Sequence, residues 1–185
     1  KRITFVNSNG IHEIKTKALV MTTGARERHF NSLGIPGDRV SGIFTAGVAQ
    51  KYINLQNLKP ANSALIVGSG DIGLIMARRL HLEGIEVKGV VEILPYPGGL
   101  ERNVQQCLRD YDIPLYLSHS VTRVEGKNRL SKVYVSQLDG TGNIIPNSEK
   151  VFEVDALITS VGLIPSVKPV EFVKTGPGFI TSNTN

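Results

Sequence analysis

ALIVGSGDIGLIMARRLHLEGIEVKGVVE, from Ala64 to Glu92, decides the fold. It reads as a strand, a glycine turn, a helix and a second strand ending in an acid. Ala64–Val67 is a short apolar run, as in a strand covered on both faces. Gly68 permits the tight turn out of that strand. Gly70, without a Cβ, allows a diphosphate to approach the backbone, and Gly73 allows the next helix to pack closely on the sheet. The helix start presents free N–H groups and the positive end of the dipole. Glu92 closes the second strand 24 residues after Gly68, where an acid accepts hydrogen bonds from the adenosine ribose.

An isolated GxGxxG carries little information. Here it follows a strand and opens a helix, and Ala77 and Gly84 extend it to GxGxxGxxxAxxxxxxG. The reading is a dinucleotide-binding βαβ unit. S-adenosylmethionine-binding folds share a looser form of the pattern and stay open as an alternative. An acid at Glu92 repels a 2′-phosphate, so NAD(H) is expected over NADP(H). Arg102 is the nearest basic residue downstream, and a solvated strand-end acid is the plainer reading of Glu92.

The 185 residues suffice for one or two domains, and 41% hydrophobic with 20% charged residues fits a globular chain. No apolar run approaches the roughly 20 residues of a membrane helix. The net charge of +5 is scattered, with no Lys/Arg run beyond Lys1-Arg2 and Arg78-Arg79. Five Tyr, six Phe and no Trp are not interleaved with those basic residues, so neither nucleic acid nor membrane is an expected partner. Cys107 is the single cysteine, which excludes an intrachain disulfide or a CxxC pair and fits a cytoplasmic location. It falls in the helical stretch LERNVQQCLRDY and reads as a small buried group. His12, His29, His81 and His119 lack metal-ligand spacing, and no metal site is expected.

Outward from the βαβ unit, Ile3–Asn7 and His12–Lys15 flank a turn and read as strands. Ala18–Met21 reads as a buried strand running into Thr22-Thr23-Gly24-Ala25. Residues 26–41 read as loop, Thr45–Leu55 as helix and Leu58-Lys59-Pro60 as linker. After Glu92, Leu94-Pro95-Tyr96-Pro97-Gly98-Gly99 is a rigid turn that borders the adenosine side. Helix 100–111 and a strand at Pro114–Leu117 follow. Ser120–Glu125, Arg129–Leu138 and Glu149–Val154 read as an antiparallel meander that replaces a helical crossover. Ala156–Ser160 is another buried strand, ending at Val161-Gly162. A short strand is expected at Phe179–Thr181.

Three motifs in order, Ala18 to Gly24, Gly68 to Gly73 and Asp155 to Pro165, resemble the pyridine nucleotide-disulphide oxidoreductase superfamily in its broad sense. The resemblance implies an FAD domain interrupted by an inserted NAD(P) domain, with Thr23 and Gly24 at the first crossing and Asp155–Pro165 at the return. The stretches Gly24-Ala25-Arg26-Glu27-Arg28 and Gly42–Gln50 are similar to the branch without redox cysteines. That branch holds amine, opine and sarcosine oxidase subunits and glycerol-3-phosphate dehydrogenase-associated flavoproteins. Many relatives carry Glu at the position of Ile75, where it reaches the nicotinamide amide; Ile75 cannot form that bond.

The expected fold is therefore α/β: a Rossmann-like parallel sheet with an antiparallel meander crossover, flanked by partial FAD-domain segments. Residues 1–59 are expected as an FAD-domain remnant and linker, 60–165 as the inserted NAD(H) domain and 166–185 as the return segment. The family's N-terminal FAD fingerprint and C-terminal Gly-Asp motif are not in the chain, which reads as the centre of a longer flavoenzyme that binds FAD poorly alone. Its expected partners are the remaining FAD-domain segments and a partner dehydrogenase subunit. The expected reaction is hydride transfer between NAD(H) and FAD, with cofactor contacts at Gly68, Ser69, Gly70, Ile72, Gly73, Glu92, Val161 and Gly162. Asp71, negative beside a diphosphate, is expected to turn its side chain away and cap the helix. Hydride transfer demands no general acid or base, so no catalytic residue is named. The alternatives are an electron-transfer or structural subunit with a degenerate nucleotide site, a methyl-donor-binding domain and a non-enzymatic interaction module.

Overall fold

Successive residues of the Ala64–Val67 strand point to opposite faces, and both faces are covered. Ala64 and Ile66 pack with the helices, whereas Leu65 joins Val121, Val133 and Val135 on the other side. Ala156 and Ile158 repeat the first choice and Leu157 the second. This double burial explains why the strands read as unbroken apolar runs. A computed structural model of the chain describes residues 2–20 and 22–166.

The described chain forms β1 (Arg2–Asn7), β2 (Gly10–Lys15), β3 (Ala25–Glu27), β4 (Ile43–Thr45), α1 (Ala46–Gln56), β5 (Ser63–Val67), α2 (Asp71–Leu82) and β6 (Glu86–Val91). Next come α3 (Glu101–Cys107), β7 (Leu115–Tyr116), β8 (His119–Gly126), β9 (Leu130–Gln137), β10 (Lys150–Glu153), β11 (Ala156–Thr159) and β12 (Leu163–Pro165). Contacts divide the chain into two units, one of residues 1–26 and 165–185, the other of Glu27–Ile164.

In the first unit, β1 and β2 form an antiparallel hairpin, with Arg2 opposite Lys15 and Asn7 opposite Gly10. Ala18, Leu19 and Val20, expected as a strand, are irregular instead. Leu19 is 47% and Val20 85% exposed, and no described strand lies beside them to supply a ladder. An apolar run alone does not make a buried strand without neighbours. The strand expected at Phe179–Thr181 lies outside the described residues.

The second unit is built on a five-stranded sheet of order β4-β11-β5-β6-β7, parallel throughout. Helices α1, α2 and α3 share one core with it through Ala49, Ile53, Leu74, Leu80, Val104 and Cys107. Strands β8, β9 and β10 form the antiparallel meander, with β9 in the centre. The meander covers the opposite face through Val121, Val124, Leu130, Val133 and Val135. Helix 100–111 is shorter than expected: α3 ends at Cys107 and a single 3-10 turn covers Arg109–Tyr111.

The stretch 26–41, expected as loop, contains the end of β3 and a 3-10 turn at Phe30–Leu33. Phe30 is buried in the core under the meander. Residues 27–59 share the compact unit of the sheet, because β4 pairs with β11 from Ile43–Leu157 to Thr45–Thr159 and carries α1 with it. Among the described residues no helix is long and apolar enough to cross a membrane.

Candidate functional site

The turn after β5 is held by its own atoms. Gly68 has φ +100°, and a Cβ there would lie 2.2 Å from the Ser160 carbonyl oxygen. A Cβ on Gly73 would lie 2.1 Å from the Gly68 carbonyl oxygen. Both positions require glycine because backbone fills the space. Gly70 differs: it has φ −62°, and among the described residues nothing lies within 4 Å of where its Cβ would be. Space there has been kept clear on the outside of the turn, at the start of α2.

Among the described residues no side chain caps α2. Its first-turn amides have no acceptor within the helix and sit at the positive end of the dipole. Asp71, expected to cap this helix, serves α3 instead. Its Oδ1 accepts from the Leu100 amide at 2.8 Å and from the Asn103 side-chain amide at 2.6 Å. Those bonds, Asn103 first, lower the Asp71 pKa below its ordinary value. The side chain is thereby tied to the neighbouring helix.

Ser69 and Glu92 do something the sequence did not announce. Glu92 Oε2 accepts both the Ser69 amide at 2.8 Å and the Ser69 hydroxyl at 2.6 Å, and Oε1 accepts the Leu94 amide at 3.0 Å. Ser69 is fully buried and Glu92 is 7% exposed. Ser69 lies in the turn expected to hold the cofactor, and its amide is committed to Glu92. Glu92, expected to face a ribose, bridges the ends of β5 and β6. The Pro-Gly turn joins this cluster, because the Gly98 amide donates to Ser69 Oγ at 2.8 Å.

Three adjoining cavities follow the carboxyl ends of the strands, where open α/β sheets take ligands. The largest, about 460 Å³, is lined by Gly68, Gly70, Glu92, His119, Val161 and Arg28, among others. A second, about 300 Å³, shares Gly70, Ser160 and Val161 with it and adds Gly162, Ile72 and Glu27. A third, about 290 Å³, shares Ile72 and Glu27 with the second and adds Ile75, Met76, Gln50 and Gly47. Together they make one groove that passes Gly70 near its middle. Each lobe is in the size range of small-molecule sites. Gly162 is fixed where its carbonyl accepts the Arg28 amide at 3.1 Å.

The structure thus brings Gly68, Ser69, Gly70, Asp71, Ile72, Gly73, Glu92, Val161 and Gly162 to one end of the sheet. Thr23 and Gly24 belong to the other unit. There Thr23 Oγ1 donates to the Ser166 carbonyl at 2.5 Å, and the Gly24 carbonyl accepts the Ser166 amide at 2.9 Å. Glu27 and Arg28 line the groove without having been expected there; the signal was their place in Gly24–Arg28, a motif with no role attached. Cys107 is buried, and burial pushes its thiol pKa up, which is unlike a nucleophile.

Comparison with known proteins bears on the family and the fold. The family model for pyridine nucleotide-disulphide oxidoreductases matches residues 1–178. The chain is 28% identical to hydrogen cyanide synthase subunit HcnB of Pseudomonas aeruginosa over 171 residues, 84% of this chain and 36% of that one. It is 28% identical to rhodocoxin reductase of Rhodococcus erythropolis over 156 residues, 81% of this chain and 34% of that one. It spans about a third of the length of these relatives. Among solved structures, an NAD-dependent persulfide reductase from A. fulgidus superposes with a TM-score of 0.65 at 24% identity, over 95% of this chain and 32% of that one. That likeness concerns the fold.

Proposed function

Because this chain belongs to the pyridine nucleotide-disulphide oxidoreductase family, we propose that its groove binds NAD(H) and that the intact protein transfers hydride between NAD(H) and FAD. The observation that carries the reading is Gly70. Its missing side chain leaves open space at the uncapped start of α2, midway along the groove. A diphosphate fits there, held by first-turn amides.

Each neighbouring residue has a task in this reading. Gly68 and Gly73 bring α2 against the sheet. Ser69 and Glu92 fix the turn. Asp71 is kept on α3 and off the diphosphate. Val161 and Gly162 form the groove wall past β11. The Glu92 carboxylate sets a negative charge in the largest lobe, which favours NAD(H) over NADP(H). Bound together, the nicotinamide and the flavin supply the hydride chemistry. Thr23 and Gly24, joined to Ser166, belong to the FAD side of the intact protein.

Calorimetric titration with NADH and NADPH tests this. Saturable binding with NADH the tighter ligand supports it. Equal or tighter NADPH binding removes the selectivity assigned to Glu92. Lack of binding to either by folded protein overturns the nucleotide reading.

Two observations favour a second reading, an electron-transfer or structural subunit with a degenerate nucleotide site. Ile75 brings no polar atom to the groove, and Glu92 already receives three hydrogen bonds from its own chain. That reading predicts no NADH dissociation constant below about millimolar.

A further inference from the structure

Glu27 lies outside the lobe that holds Glu92, where the two smaller lobes meet. It lines both smaller lobes, the one past β11 with Val161, Gly162 and Leu163 and the one along α2 with Ile75 and Met76. Its carboxylate is fixed rather than loose. Both oxygens accept the Gly47 amide, at 2.9 and 3.0 Å, in the first turn of α1. Thr45, the N-cap residue of α1, makes no side-chain cap bond, so Glu27 supplies this acceptor from a distant part of the chain. The fit is close: a Cβ on Gly47 would lie 2.6 Å from Glu27 Oε2.

One shared N–H leaves free lone pairs on both oxygens of a carboxylate. Among the described residues the other carboxylate of these lobes is Asp71, which accepts from Leu100 and Asn103 through Oδ1. Around Glu27 the wall is mainly apolar, and Ile72 and Ile75 are each 48% exposed. An apolar slot with one fixed acceptor suits a flat ring bearing an amide donor. The nicotinamide end of a dinucleotide has that chemistry, and with the diphosphate at Gly70 and the adenosine toward Glu92 it comes to these lobes.

We infer that Glu27 binds the nicotinamide carboxamide, its carboxylate accepting a hydrogen bond from the carboxamide N–H while the Gly47 amide holds it in place. The inference rests on the dinucleotide reading above and assigns the ring-side contact within it. A negative charge at this point also rejects a nicotinic acid ring, whose carboxylate replaces the amide donor.

The test is a set of titrations of the protein with NAD⁺, its nicotinic acid analogue and ADP-ribose, which lacks the ring. The parent protein should bind NAD⁺ at least about tenfold more tightly than the nicotinic acid analogue, a typical loss for one hydrogen bond to a charged group. Glu27→Gln should bring the two close to parity and leave ADP-ribose affinity within about twofold, as expected where no contact has changed. Equal binding of both dinucleotides by the parent overturns the inference without any variant. A fall in ADP-ribose affinity matching that for NAD⁺ in Glu27→Gln also overturns it, since Glu27 then acts only by supporting α1. Failure of the folded parent to bind ADP-ribose and NAD⁺ alike defeats the dinucleotide reading itself.

Discussion

The carboxylate of Glu92 receives both the amide and the hydroxyl of Ser69, at 2.8 and 2.6 Å, and so fastens the end of β6 to the glycine turn after β5. The same hydroxyl accepts the Gly98 amide at 2.8 Å. Ser69→Ala therefore leaves a buried carboxylate short of a donor and a backbone amide short of an acceptor. Hydrogen bonds to charged groups are worth about 1.5–3 kcal/mol each. Urea denaturation should show a loss in that range; a loss under about 0.5 kcal/mol, the usual surface effect, contradicts the fastening role.

Glu92→Gln keeps an acceptor oxygen and removes the charge. Stability should fall by about 1–3 kcal/mol, since a buried charged contact becomes neutral. NADPH binding should improve relative to NADH, because the repulsion of a 2′-phosphate is gone. Titration of the variant with both cofactors reads the ratio, and an unchanged ratio means the Glu92 charge does not select the cofactor.

The three turn glycines separate by what surrounds them. Gly73→Ala drives a methyl group into the Gly68 carbonyl, and Gly68→Ala adds a strained positive φ to a clash with Ser160. Each should cost about 1–3 kcal/mol or more, seen as a lower melting temperature. Gly70→Ala should leave stability within about 0.5 kcal/mol, the usual range where nothing is touched. A large loss at Gly70 contradicts the open space described there.

Asp155 accepts the amides of Asn62, at 3.0 and 3.1 Å, and of Ser63, at 2.8 Å, joining the start of β11 to that of β5. Burial pushes its pKa up, but the bonds from Ser63 and Asn62, with Arg129 nearby, outweigh this and hold it below the ordinary 3.8. A carboxylate with a lowered folded pKa binds protons more readily when unfolded. Its stabilisation is full above the unfolded pKa and is lost as pH falls through the folded one. Asp155→Asn should therefore be less stable than the parent at neutral pH, with the gap closing below about pH 3.8, the ordinary carboxylate pKa. Denaturant titrations across that range check the convergence; a gap independent of pH contradicts it.

The parts of this molecule legible in the sequence are those set by local periodicity. The run Ala64–Val67, the glycine turn and the strand ending at Val91 were legible because both strand faces are covered and each glycine answers a local steric demand. The meander was legible from its turn signals at Gly126-Lys127-Asn128 and Gly140–Asn143. What was not legible depends on partners far along the chain. The β4 strand exists because β11 lies beside it, more than 100 residues later. Ala18–Val20 reads as a strand by composition but lacks a described neighbour. Asp71 binds Leu100 and Asn103 and does not cap α2, because those two residues come close only in the fold. Glu27 is a loop acid until Gly47 is placed against it.

The most direct test of the central claim is NADH titration of the parent protein and of Gly70→Val, with melting followed in parallel. The Val side chain would occupy the space at the start of α2. The prediction is saturable binding by the parent, and a loss of at least about tenfold, or 1.4 kcal/mol, in a variant that still melts cooperatively near the parent temperature. Unchanged NADH affinity in folded Gly70→Val would contradict the assignment of this turn to the cofactor.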